Sequence, residues 1–233
     1  MSRISYVSIG EGDTILFLHG WGQNKEMMLP LIDELKYKYR CVILDLPGFG
    51  NSLFNNAKTI EKYLEDIREF LAEENIFPKY IVGHSFGGKL AALYYLKYKD
   101  LERLVIIASP LLKPKRTIKY YYKIYMHKLK KKLGIKGNNG SDDYKNCCSK
   151  IKPLFINIVN THLDKIISKI TIPTLLIWGD KDRKVPLNRA KKIKKKLVNS
   201  ELCVENGGHF AYLDNIHFTR LVIQKFLRRN SSD

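Results

Sequence analysis

Gly83-His84-Ser85-Phe86-Gly87-Gly88 follows the apolar run Tyr80–Val82 and opens the helix-like stretch KLAALYYL. It fits G-x-S-x-G, and strand before with helix after is the context that gives this pattern meaning. A turn this tight forces its central residue into a strained backbone conformation. Only small residues fit two positions to either side, and Gly83 and Gly87 supply them. The Ser85 hydroxyl is then expected to project over the carboxyl edge of a sheet, where open α/β sheets bind ligands. The Phe86 N–H starts the helix and faces any oxyanion formed on that hydroxyl.

Outward from this turn, short apolar runs alternate with helical patterns. The runs are Thr14–Leu18, Cys41–Leu44, Tyr80–Val82, Leu104–Ala108, Thr174–Trp178 and Leu202–Val204. They are rich in Ile, Leu and Val and mostly lack period-2 alternation, as strands buried on both faces do. Ile60–Glu73 carries Tyr63, Ile67, Phe70 and Leu71 near a 3.6 period, with Thr59 as N-cap. Leu90–Tyr98 and Phe218–Arg229 read similarly. This alternation predicts a mostly parallel, doubly wound α/β sheet. Ser5–Gly10 with Glu11-Gly12-Asp13 reads as an antiparallel edge hairpin.

The rhythm breaks between Pro110 and Ile172. There Ile118, Tyr122, Tyr125, Met126, Leu129 and Leu133 form one apolar helical stripe that stops at Gly134. KGNNGSDDY (Lys136–Tyr144) is loop-like, and a second helix is expected over roughly Ser149–Asn160. The expected organisation is a core of residues 1–109 and 169–233, with a helical insertion over residues 110–168.

A serine hydroxyl needs a base to become a nucleophile. Of the six histidines, His209 lies in Glu205–Phe210, a loop after the last strand that can reach the turn. His84 adjoins Ser85 but points away from it. His127 and His162 lie in the insertion, and His217 lies near the last helix. An acid must then orient the imidazole. Asp180 and Asp182 both follow the penultimate strand in Gly179-Asp180-Lys181-Asp182-Arg183-Lys184-Val185-Pro186. Asp182 is favoured because it lies further into the loop and can turn towards His209. Asp180 is read as a turn-stabilising residue. The second oxyanion donor is expected from the backbone N–H of Trp21 in His19-Gly20-Trp21-Gly22. The His19 side chain is read as structural, and Trp21 and Phe86 as walls of an acyl pocket.

Together these motifs resemble the α/β-hydrolase-fold superfamily over nearly the whole chain. The H-G-x-G loop, Asp45-Leu46-Pro47-Gly48-Phe49-Gly50-Asn51-Ser52, the G-x-S-x-G turn, the G-x-x-D…V-P stretch and G-H-F all match, and so does the order Ser85…Asp182…His209. The resemblance implies that Asp182, at the fourth position of G-x-x-D, is the acid, that Asp45 is structural, and that Pro110–Ser168 is a small helical cap shaping specificity. His19–Asn24 with Asp45–Ser52 also resembles the carrier-protein methyl esterases of biotin synthesis, but these motifs do not fix a substrate. The expected function is a serine hydrolase cleaving a carboxylic ester through an acyl-enzyme, with no metal or organic cofactor. The rival chemistries are thioesterase, carrier-protein methyl esterase, C–C hydrolase and aminopeptidase activity. The rival class is a non-catalytic binding protein on the same scaffold.

The composition bounds this reading. The 233 residues are 45% hydrophobic and 27% charged, which is globular rather than disordered. No run approaches the ~18 apolar residues of a membrane span, and the start lacks a basic region followed by an apolar stretch. Cys41, Cys147, Cys148 and Cys203 show no C-x-x-C spacing, so a reduced, cytoplasmic protein is expected. The net charge is +18, and Pro110–Lys136 holds ten Lys or Arg and no acid. A basic cap would favour an anionic or carrier-bound ester; a solvated face around an apolar stripe is the plainer reading. Arg189–Lys196 (RAKKIKKK) is read as a solvated helix face. No motif reads bases, so nucleic acid is excluded as a partner.

Overall fold

The computed structural model describes residues 4–54, 56–114, 126, 142–145 and 147–228. The stripe Ile118–Leu133, apart from Met126, and most of the basic Pro110–Lys136 segment lie outside the described residues.

Seven strands form one sheet in the order β1-β3-β2-β4-β5-β6-β7. They are β1 (Tyr6–Ile9), β2 (Thr14–Leu18), β3 (Arg40–Leu44), β4 (Pro78–His84), β5 (Arg103–Ile107), β6 (Thr174–Gly179) and β7 (Ser200–Glu205). All neighbours are parallel except β1, which runs antiparallel along β3. Every residue of β2, β5 and β6 is buried, which explains their unbroken apolar sequences.

The edge hairpin expected at the start is not formed. Tyr6 pairs with Leu44 and Ile9 with Cys41, so β1 skips β2. Both sides of β2 are taken by parallel partners, β3 and β4. That leaves only the outer edge of β3 for β1.

Helix α1 (Ile60–Glu73) buries Tyr63, Leu64, Ile67, Phe70 and Leu71 along one face. The Thr59 hydroxyl accepts the Lys62 N–H at 3.3 Å, capping the first turn. Helix α2 (Phe86–Tyr98) starts four residues earlier than its apolar pattern suggested, directly at the serine turn. It is buried nearly all round, which is why its sequence shows almost no polar face. Helix α3 (Lys152–Asn160) lies in the sequence between β5 and β6, α4 (Leu187–Lys196) between β6 and β7, and α5 (Ile216–Arg228) ends the described chain. Among the described residues no helix is long and apolar enough to cross a membrane.

Candidate active site

Ser85 sits between β4 and α2 with φ +50° and ψ −107°. A residue other than glycine at positive φ is costly, by about 1–3 kcal/mol, and persists only where its surroundings enforce it. Here the Ser85 N–H donates to the Ile107 carbonyl at 2.8 Å, and the Ser109 hydroxyl donates to the Ser85 carbonyl at 2.6 Å. The glycines leave room for the turn. A Cβ on Gly87 would lie 2.1 Å from the Leu18 carbonyl oxygen, and one on Gly83 would lie 2.4 Å from that of Gly87.

His209 arrives from the loop after β7. Its Nε2 lies 3.1 Å from Ser85 Oγ, and its Nδ1 lies 2.8 Å from Asp182 Oδ2. A carboxylate only accepts, so Nδ1–H donates to Asp182. Nε2 is then left to accept the Ser85 hydroxyl proton. The Asp182 side chain is fully buried and that of His209 is 10% exposed. Burial works to raise the Asp182 pKa, but hydrogen bonds from His209, Val185 and Lys184 outweigh it and hold the carboxyl below its ordinary range.

The two neighbouring aspartates divide the work in an unexpected way. Asp182 Oδ1 accepts the N–H groups of Lys184 and Val185, both at 2.8 Å, so Asp182 builds its own turn as well as facing His209. Asp180 Oδ1 instead accepts the Gly207 N–H at 2.9 Å, while the Lys181 N–H donates to the Gly207 carbonyl. Asp180 therefore ties the His209 loop to the β6 loop rather than stabilising its own turn.

His84 has a place that its sequence position did not disclose. Its Nε2–H donates to the His209 carbonyl at 3.0 Å, and its ring packs on His209 and Tyr212 with centroids 4.9 Å away. Burial, followed by the charge of the neighbouring His209, pushes His84 down to about 3, so it is neutral. It supports the backbone that carries His209.

On the other side, Gln23 Oε1 accepts the Gly20 N–H at 2.8 Å and pins the turn that carries Trp21. The Trp21 ring meets Phe49, Phe86 and Phe155 with centroids 4.9, 5.4 and 5.0 Å away. His19 Nε2 accepts the Leu46 N–H at 2.9 Å, reaching beyond its own loop. Asp45 is fully buried and accepts from Lys25 Nζ at 2.6 Å, the Lys25 N–H at 2.8 Å and the Asn51 N–H at 3.0 Å. Breaking a buried ion pair from one side leaves a charge uncompensated. Lys25→Met is expected to lower unfolding stability by about 3 kcal/mol, measured by urea titration; a loss under about 1 kcal/mol would show that Asp45 is satisfied by backbone alone.

Two cavities open at Ser85. One, of about 530 Å³, is lined by Trp21, Gln23, Ser85, Lys184, His209 and Phe210, among others. The other, of about 280 Å³, is lined by Trp21, Ser85, Phe86, Lys89, Phe155 and Arg189, among others. Sequence reasoning does not single out Lys89, although a lone lysine opening the apolar stretch KLAALYYL is a visible signal. It is 2% exposed, and its Nζ donates to the Ile158 and Thr161 carbonyls at 2.9 and 3.0 Å. Among the described residues, no cluster of three or more His, Cys, Asp or Glu is placed to hold a metal.

A model of the alpha/beta hydrolase fold family matches residues 13–128. The chain is 25% identical to the AB hydrolase superfamily protein YisY of Bacillus subtilis, over 94% of this chain and 92% of that protein. It is also 25% identical to a pimeloyl-[acyl-carrier protein] methyl ester esterase of Wigglesworthia glossinidia brevipalpis, over 95% and 96% of the two chains. Among solved structures it resembles an esterase from Exiguobacterium antarcticum, with a TM-score of 0.75, 22% identity, and coverage of 96% and 95% of the two chains. A bromoperoxidase from Bacillus anthracis superposes with a TM-score of 0.77 at 22% identity, over 97% and 95%. At such identities the structural likeness carries the fold alone.

Proposed function

This chain belongs to the α/β-hydrolase-fold superfamily and is a hydrolase, and from that premise we propose that it cleaves a carboxylic ester through an acyl-enzyme formed on Ser85. The observation that carries the proposal is the relay of Ser85 Oγ, His209 and Asp182, at 3.1 and 2.8 Å. Ser85 Oγ attacks the carbonyl carbon as its proton passes to His209 Nε2. The backbone N–H groups of Trp21 and Phe86 hold the oxyanion. The tetrahedral intermediate collapses, the C–O bond to the alcohol breaks, and His209 Nε2–H protonates the leaving oxygen. Water then repeats the sequence on the acyl-enzyme, with His209 as base and Ser85 as leaving group. Asp182 stays ionised throughout, as its depressed pKa allows. No metal or organic cofactor enters these steps.

Residues 1–109 and 169–233 are proposed as the hydrolase core and residues 110–168 as a helical cap over it. The contact of Phe155 with Trp21, and the bonds from Lys89 to the α3 end, support that role for the described part of the segment. The four free cysteines support a reduced, cytoplasmic location. Relatives named as methyl ester esterases and a lipase favour an ester over a thioester, amide or C–C bond.

The test is covalent. A fluorophosphonate probe is expected to label the wild-type protein on the peptide that contains Ser85, read by mass spectrometry, and p-nitrophenyl butyrate to be hydrolysed faster than aminoacyl nitroanilides. Absence of labelling, or labelling at another residue, would overturn the proposal.

A further inference from the structure

We propose that the smaller cavity beside Ser85 is an anion subsite, and that the preferred ester carries a carboxylate at the far end of its acyl arm. The substrate class is thus a half-ester of a short dicarboxylic acid. The assignment to the acyl arm rests on the ester-hydrolase reading above.

The cavity combines aromatic walls at Trp21, Phe86 and Phe155 with three basic side chains, Lys89, His162 and Arg189. These three are short of partners. Lys89 is almost wholly buried, and its two hydrogen bonds go to neutral carbonyls, leaving one N–H unspent. Arg189 Nη2 and His162 Nδ1 are buried and have no hydrogen-bond partner among the described residues. Buried charges are normally paired, and a buried donor left unmade is expensive.

Nearby acids do not fill the gap. Asp164 attracts both Arg189 and His162, but its Oδ2 is turned to the Lys113 N–H at 2.8 Å, and Arg189 Nη2 and His162 Nδ1 remain without a partner among the described residues. Asp143 also borders the cavity, but it is exposed and is shared with the two neighbouring cavities on the Trp21 side. Burial, and then the charge of Arg189, pushes Lys89 down to about 8. Burial, and then the charge of Lys89, lowers His162. Lys89 and Arg189 repel one another, and an anion held between them offsets that repulsion.

The arm follows from the position of His209. A leaving alcohol must receive its proton from His209 Nε2, so it occupies the cavity that His209 lines. His209 does not line the basic cavity, although Ser85 lines both. The acyl arm therefore points towards Lys89. Lys89 lies four residues beyond Ser85, about 6 Å of helical rise, so a short chain suffices. A carboxylate suits this set because a guanidinium and an ammonium can each hold one oxygen.

The test compares monomethyl adipate with its uncharged isostere, methyl 6-methylheptanoate. In the wild type, kcat/KM for the acid ester is expected to exceed that for the isostere by about tenfold or more. That ratio is expected to fall about tenfold in Arg189→Gln and in Lys89→Met. Lys89→Met leaves two carbonyls unbonded and can fail to fold, so Arg189→Gln on the half-exposed helix carries the decision. In parallel, adipate and inorganic phosphate are titrated calorimetrically into Ser85→Ala and into Ser85→Ala/Arg189→Gln. Adipate is expected to bind the first and to bind the second about tenfold more weakly. A wild-type ratio near one with no adipate binding overturns the proposal, and so does binding of phosphate in place of adipate. Adipate binding that weakens with Arg189→Gln, in a protein that hydrolyses neither ester, upholds the anion subsite while the ester reading falls.

Discussion

Ser85→Ala is expected to lower the kcat for p-nitrophenyl butyrate by about 10⁵- to 10⁶-fold while leaving the protein folded. The loss is large because nucleophile and base act as one unit, so removing either leaves only binding and oxyanion stabilisation. The fold should survive because what anchors position 85 is backbone. Its N–H donates to Ile107 and its carbonyl accepts from Ser109, and neither bond involves the hydroxyl. Alanine keeps a Cβ at φ +50° and therefore keeps the strain. Ser85→Gly should be equally inactive yet more stable than Ser85→Ala by about 1 kcal/mol, because glycine adopts positive φ freely. Turnover and thermal unfolding of the two variants check this. More than about 1% residual activity in both variants would remove Ser85 from the chemistry. Equal stability would remove the strain.

What could be read in the sequence follows the range of the interactions. β2 matches its apolar run Thr14–Leu18 to the residue, and α1 matches Ile60–Glu73, because a strand buried on both faces and an amphipathic helix each write their period locally. The turn at Ser85 is legible through Gly83, whose Cβ would meet the Gly87 carbonyl within the motif itself, whereas Gly87 is demanded by the Leu18 carbonyl of β2, a contact only the folded sheet supplies. The partner of β1 was not legible. Its own sequence carries the edge-strand pattern, but the choice of β3 over β2 is made by β4, some seventy residues away. The preference for Asp182 over Asp180 rests on loop reach and on the fourth position of G-x-x-D, whereas the hydrogen bond of Asp180 to Gly207 depends on a loop that sequence cannot fold. Arg189 belongs to a run that reads as a solvated face, yet its Nη2 is buried and the residue lines the smaller of the two cavities at Ser85. Only the lysines beyond it, Lys194–Lys196, sit in the last turn, where positive charge suits the helix dipole. The stripe Ile118–Leu133 lies, apart from Met126, outside the described residues.

The second large effect concerns one atom of a carboxylate. Asp182→Asn is expected to lower kcat by about 10⁴-fold, and Asp180→Asn by less than about tenfold. At position 182 the surroundings decide which way the amide points. Oδ1 must remain an acceptor, because the N–H groups of Lys184 and Val185 both donate to it at 2.8 Å. The amide oxygen therefore takes that place, and the NH₂ group turns to His209 Nδ1, where Oδ2 now accepts at 2.8 Å. Facing a donor, Nδ1 must accept, so the imidazole proton moves to Nε2. That nitrogen, 3.1 Å from Ser85 Oγ, can then no longer take the serine proton. The geometry survives and the base is lost. At position 180 an asparagine oxygen still accepts the Gly207 N–H, so the His209 loop stays tied. The tautomer gives a readout that a merely structural role would not move: ¹⁵N shifts of His209 should report a proton on Nδ1 in the wild type and in Asp180→Asn, and on Nε2 in Asp182→Asn. Equal losses of activity in the two variants, with the wild-type tautomer in both, would show that Asp182 does not set the protonation of His209.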